Sequence, residues 1–176
     1  MKKPLPEIEY LRKILRYEPD AGKLFWLHRD DVFALFNARL AGKEAFTIID
    51  RDGYSASRIC GKFLLAHRVI WAIVYGSWPA HCIDHINGIK ADNRLSNLRE
   101  ATQSENGCNR PAPKHNIRGI KGVSWNNRDG KWHVRITKHG CCKHIGYFDN
   151  ITDAAAAYAK AATELHGKFA NQGAQP

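Results

Sequence analysis

The stretch from Cys82 to Arg110, C-I-D-H-I-N-G-I-K-A-D-N-R-L-S-N-L-R-E-A-T-Q-S-E-N-G-C-N-R, most limits what this chain can become. It packs an Asp-His pair, an Asn-Gly turn signal, several further Asn side chains and a short polar helix candidate into one continuous run. Asp, His and Asn favour surfaces and turns over packed interiors. An ordinary apolar core is not written this way, so the rest of the chain has to hold a polar loop in a defined shape.

Two properties bound the partner. The formal net charge is +10 with a pI near 9.5, which points to a polyanion, nucleic acid first. Hydrophobic content of 44% is enough for a real core and excludes a disordered tail. The five cysteines (Cys60, Cys82, Cys108, Cys141, Cys142) show no C-x-x-C spacing. That argues against a disulfide framework or zinc knuckle and for reduced thiols in a cytoplasmic protein. The richest apolar run, Phe63 to Tyr75, is interrupted by Ala66-His67-Arg68, so neither a membrane span nor a signal peptide is expected.

Apolar residues at 8, 11, 14 and 15 have helical spacing, Glu18 to Gly22 is a turn, and Leu24 to Leu27 reads as a strand. Asp30 to Leu40 reads as a helix with Val32, Leu35 and Phe36 inward. Asp52-Gly53 is a hairpin dipeptide, and Tyr54 to Cys60 and Phe63 to Leu65 read as strands around a tight turn. Ala66 to Tyr75 follows as a helix closed by Gly76. Residues 1–53 are thus a cap, 54–110 the first domain and 111–119, rich in Pro and positive charge, a linker.

Residues 120–176 form a second module: three alternating strands near 123–125, 132–136 and 144–148, then a helix from Thr152, the expected N-cap, to Leu165. From Arg110 to Ile145 there are nine Lys/Arg against one acid, Asp129, so the sheet is basic and its exposed face is the expected phosphate contact. The fold class expected is α+β: a first domain of short strands and helices followed by a three-stranded antiparallel sheet packed on one helix.

The central run has the parts for phosphodiester hydrolysis. A hard divalent cation neutralises charge at phosphorus and assists the departing oxygen, and it takes oxygen ligands. Asp84 offers a carboxylate, and His85, neutral near pH 7, can take a proton from water. Asn106 or Asn109, on the helix after Thr102, offers a second protein oxygen. Adjacent strand residues face opposite ways, so the backbone is expected to bend at this pair.

The run resembles the HNH endonuclease family with its ββα-metal finger, in the branch found in phage genes and intron-borne homing endonucleases. The carrying residues are Ala66-His67-Arg68 with Trp71, Asp84 to Gly88, Asn93-Arg94 with Ser96 to Arg99, and Gln103-Ser104 with Asn106. The resemblance implies that His85 is the general base and Asp84 a metal ligand. Asn106 is then the second ligand, with Asn109 the alternative, and Asn97 braces the loop. His67 is expected to support the site structurally, and Arg94, Arg99 and Arg110 to clamp phosphates. It implies one metal, Mg2+ or else Mn2+, and a double-stranded DNA substrate that a monomer would nick; a dimer is the alternative state. A phage or mobile-element protein acting in the host cell fits this branch.

Residues 117–170 resemble the plant Apetala-two/ERF-type DNA-binding domain, through Gly122 to Trp125, Gly130 to Ile136, Ile145 to Phe148 and Ala154 to Ala162. That resemblance implies a sheet laid in the major groove. Lys121, Trp125, Asn126, Arg128, Lys131, Arg135 and His144 then face DNA, with linker residues Lys114 and Arg118 adding charge. The alternatives are a DNA-binding regulator that keeps the finger without catalysis, and an RNA-binding protein.

Overall fold

The computed structural model describes residues 4–110, 112, 116 and 120–171. They pack as two units, Met1–Glu100 and Ala101–Pro176, each with its own core.

In the first unit, α1 (Ile8–Ile14) leads directly into β1 (Leu15–Glu18), which pairs antiparallel with β2 (Lys23–Trp26) in the register Leu15 with Trp26. The turn between them closes at Gly22, whose φ of +66° is one that side chains resist. The next helix, α2 (Ala34–Leu40), starts later than its pattern predicts and buries nothing. Leu35 is exposed rather than inward; Val32, before the helix, is half-buried, and Phe36 turns back, edge-on to Trp26 at 6.5 Å. A seven-residue helix of about two turns, which starts after Val32, has too little length for a full apolar stripe, so the expected inward triplet does not form. Short strands β3 (Glu44–Ala45) and β4 (Ile48–Ile49) follow, the first pairing with β2 and the second with β5 (Ser55–Ile59). That strand forms a tight hairpin with β6 (Lys62–Leu65).

The helix predicted over 66–75 is α3 (Ala66–Tyr75), ended by Gly76 in the left-handed conformation. Its Val69 and Ile70 pack with Leu11, Leu24, Ile59 and Ile83 in the core, and Ala72 is buried. Two strands, β7 (Cys82–His85) and β8 (Leu98–Ala101), then pair and enclose the polar loop between them.

The second unit opens on α4 (Gln103–Asn109). A reciprocal cap starts it: the Glu105 amide donates to the Thr102 hydroxyl and the Glu105 carboxylate accepts from the Thr102 amide. Then β9 (Val123–Asn126), β10 (Lys131–Lys138) and β11 (Cys141–Phe148) form an antiparallel sheet with β10 in the middle. Trp132, Val134 and Ile136 alternate inward against Ala154, Tyr158 and Ala162 of α5 (Ile151–His166). Asn150, not Thr152, caps α5: its side-chain oxygen accepts from the Asp153 amide at 2.8 Å. Both residue types cap well, and sequence spacing does not choose between them. The predicted boundary also moves. Residues up to 110 were expected in the first domain, yet α4 packs with the second unit, where Cys108 and Ala101 meet Phe169. Most of the predicted linker 111–119 lies outside the described residues. Among the described residues no helix is long and apolar enough to cross a membrane.

Candidate active site

The polar loop between β7 and β8 is held by a dense set of short bonds. Asn97 is 7% exposed; its Oδ1 accepts from the Asn87 amide at 2.9 Å and its Nδ2 donates to the Asp92 carbonyl at 2.8 Å. The Ile86 amide donates to the Asn97 carbonyl, and the turn closes at Gly88, φ +73°. The backbone therefore bends at 86–88, just after the Asp-His pair. Asp92 collects the Asn87 amide group and the Arg94 guanidinium, at 2.8 and 2.6 Å, and this pairing pulls its carboxyl well below the usual carboxylate range.

Asp84 and His85, adjacent on β7, are both buried and engage different neighbours. The Asp84 carboxylate meets Arg99 across the β7–β8 pair: Nε donates to Oδ2 at 2.8 Å and a terminal nitrogen lies 2.6 Å from the same oxygen. Arg99, expected as a phosphate clamp, is thus committed to Asp84; Arg94, expected likewise, is committed to Asp92. Side-chain pairing across a two-stranded ladder is not visible in residue spacing alone. Arg110 is exposed.

His85 turns toward Tyr54 and His67, with ring centroids 5.8 and 5.2 Å away. Its Nε2 lies 3.0 Å from Oδ1 of Asn93. Burial holds its imidazole below the ordinary range, against the opposing pull of the Asn93 bond and of Asp84 and Asp92, so it is neutral at pH 7. Asn93 was missed by reasoning from residues: it stands in the Asn93-Arg94 motif, but nothing local ties it to a histidine eight positions earlier.

His67, on α3, is 4% exposed and its Nδ1 has no hydrogen-bond partner among the described residues. Burial, then the neighbouring His85 and Arg68, push its pKa down to about 3. An imidazole that charges more easily unfolded than folded stabilises the fold fully above pH 6.5 and loses that contribution as pH falls from 6.5 toward 3. At pH 4.5 the loss is about 3 kcal/mol. Urea unfolding should therefore show a steeper acid decline in the wild type than in His67→Phe. Parallel declines would contradict this assignment.

In the second unit the outward face of the sheet carries Ser124, His133, Arg135, His144 and Tyr147. His133 Nε2 lies 2.8 Å from His144 Nδ1, and the His133 and Tyr147 rings stack at 4.9 Å. A shift in register between Val134 and Arg135 leaves Ile145 without a partner in the ladder. Trp125 is not on this face. It pairs with Trp132, so it lies on the helix side, 47% exposed and edge-on to Trp132 at 5.0 Å. Lys121 is not a surface cation either: its ammonium donates to the carbonyls of Gly107, Cys108 and Arg110 at 2.8–3.1 Å, closing the end of α4, and burial lowers its pKa. Asn126 ties a turn, accepting from the Arg128 amide and donating to Asp129, and Lys131 lies 3.0 Å from Asp149. Arg128 and Arg135 are exposed. Lys114 and Arg118 lie outside the described residues.

Residues 64–108 match the family model described as HNH endonuclease. Over 105 residues the chain is 35% identical to protein 3.8 of Escherichia phage T7, covering 59% of this chain and 86% of that one. The chain belongs to the family of phage T7 protein 3.8 and carries an HNH endonuclease domain. It is also 34% identical over 124 residues to an uncharacterized HNH endonuclease of Acanthamoeba polyphaga mimivirus, covering 69% of this chain and 63% of that protein. Among solved structures it is similar to the HNH homing endonuclease I-HmuI, in a structure of DNA binding and cleavage. The TM-score there is 0.42, the identity 21% and the coverage 92% of this chain and 90% of that one. Both members of the Asp84-His85 pair fall inside the HNH match, as do Asn93, Asn97 and Asn106; Asn109 falls one residue beyond it.

HNH nucleases generally use a divalent metal. Among the described residues no three His, Cys, Asp or Glu side chains come together as a metal group. The donor that the loop itself offers is the buried Asp84 carboxylate, an oxygen ligand. An oxygen ligand suits a hard cation better than zinc.

Proposed function

We propose that this protein is a metal-dependent DNA endonuclease that nicks duplex DNA. The observation that carries the reading is His85: a buried imidazole, kept neutral by its surroundings, beside a buried carboxylate within the HNH match. His85 takes a proton from water, the water oxygen bonds to phosphorus, and the bond to the 3′ oxygen breaks. Asp84 and Asn106 are the ligands of the ion, and Asn97 and His67 support the loop and the ring. A bound Mg2+ or Mn2+ would neutralise the phosphate and stabilise the departing oxygen. The exposed cations of the sheet, Arg128, Arg135 and their neighbours, hold the duplex largely through phosphates. In an Apetala-two/ERF-like mode the face of His133, Arg135 and His144 meets the groove.

One observation favours a second reading. Asp84 already receives two contacts from Arg99, an arrangement that also suits a DNA-binding protein that does not cut. Supercoiled plasmid separates the two. The endonuclease reading expects nicked circles with Mg2+, none with chelator, and weaker action on duplex RNA. Binding without nicking in Mg2+ and in Mn2+ would favour the regulator.

A further inference from the structure

We infer that Asn93 is the positioning residue of His85, fixing which ring nitrogen carries the proton, and that the N-terminal β1–β2 hairpin holds Asn93 in place. The inference rests on His85 acting as the general base.

The side-chain amide of Asn93 is 3% exposed and has two neighbours that decide its orientation. Nδ2 lies 3.5 Å from the Ala91 carbonyl, a contact only a donor can make favourably. That leaves Oδ1, an acceptor, facing His85 Nε2 at 3.0 Å. An acceptor there selects the tautomer with hydrogen on Nε2. Nδ1 is then the nitrogen with the lone pair, which is the form a proton acceptor needs. A ring of the other tautomer would set two lone pairs against each other in a buried place.

The loop that carries Asn93 is braced from the chain's first strands. The Tyr17 hydroxyl, on β1, donates to the Asn93 carbonyl at 3.1 Å and accepts from the Leu95 amide at 3.0 Å. One hydroxyl thus satisfies two backbone groups on either side of Arg94. At the tip of the same hairpin, backbone lies on backbone. A Cβ at Gly22 would stand 2.5 Å from the Arg94 amide nitrogen and 2.7 Å from the Asn93 carbonyl carbon. The left-handed φ at Gly22 forbids most side chains for a second, independent reason. The segment that looks like a plain cap in sequence is therefore part of the scaffold that aims His85.

Long-range 1H–15N spectra of the full-length, 15N-histidine-labelled protein test this without substrate. The wild type is expected to show His85 with hydrogen on Nε2. Asn93→Ala should give a mixture of tautomers. Asn93→Asp, which keeps an acceptor at that place, should restore the Nε2–H form. In cleavage assays Asn93→Ala should lower kcat by about ten- to hundredfold with KM little changed, and Tyr17→Phe should fall between it and the wild type. A wild-type ring with hydrogen on Nδ1, or an unchanged tautomer in Asn93→Ala, would overturn the inference. A protein with the expected spectra that never cuts DNA would contradict the nuclease reading and, with it, the catalytic part of this inference, while the Nε2–H tautomer set by Asn93 would hold.

Discussion

His85→Ala is expected to lower the nicking rate on duplex DNA by about 10²- to 10⁴-fold while leaving DNA affinity within about twofold. The separation follows from where the residue sits. His85 is 4% exposed and faces Tyr54, His67 and Asn93, so it is a poor candidate for groove or phosphate contact. The cations offered for binding are the exposed ones, led by Arg128 and Arg135 on the sheet module. The ring's small share of binding and large share of chemistry should appear as a fall in rate at saturating protein, with gel-shift midpoints in chelator unchanged. Equal losses in binding and rate would mean that the ring contacts the duplex and would remove its role as base.

Arg99→Ala is expected to destabilise the first unit by about 3 kcal/mol, a large share of a small unit's stability. The pair it breaks is withdrawn from water: the Arg99 and Asp84 side chains are 14% and 5% exposed. Removing the guanidinium leaves a buried carboxylate to bear its desolvation with less compensation. The phosphate-clamp reading of Arg99 predicts the opposite pattern, a loss of DNA affinity with little change in urea unfolding. Unfolding curves in chelator at pH 7.5 distinguish the two. Addition of Mn2+ should recover part of the stability if Asp84 is an ion ligand.

These two residues mark how far the residues alone carry. The regular elements were legible because apolar periodicity and turn residues are local signals: α3, the β5–β6 hairpin and the three strands of the second module stand where alternation and glycines put them. The Asp84-His85 pair was legible as chemistry because its residue types are costly to place in a fold without use. The partners were not. Arg99 looks like any surface arginine until β7 and β8 pair, Lys121 looks like a phosphate contact until it folds back on α4, and Trp125 changes face once the strand register is known. Asn93 and Tyr17 lie far apart in sequence, and only the fold brings the hydroxyl to the loop. Side chains that hold other side chains are set by tertiary contacts, which no window of neighbouring residues records.

We propose that Asp84 and Asn106 each give an oxygen to one hard cation, with His85 working beside it. Calorimetric titration of Mn2+ into the wild type, Asp84→Asn and Asn106→Ala measures it most directly. One site per chain is expected in the wild type, weakened by about tenfold or more in both variants, as when a ligand is lost. Affinity unchanged in both variants would contradict it.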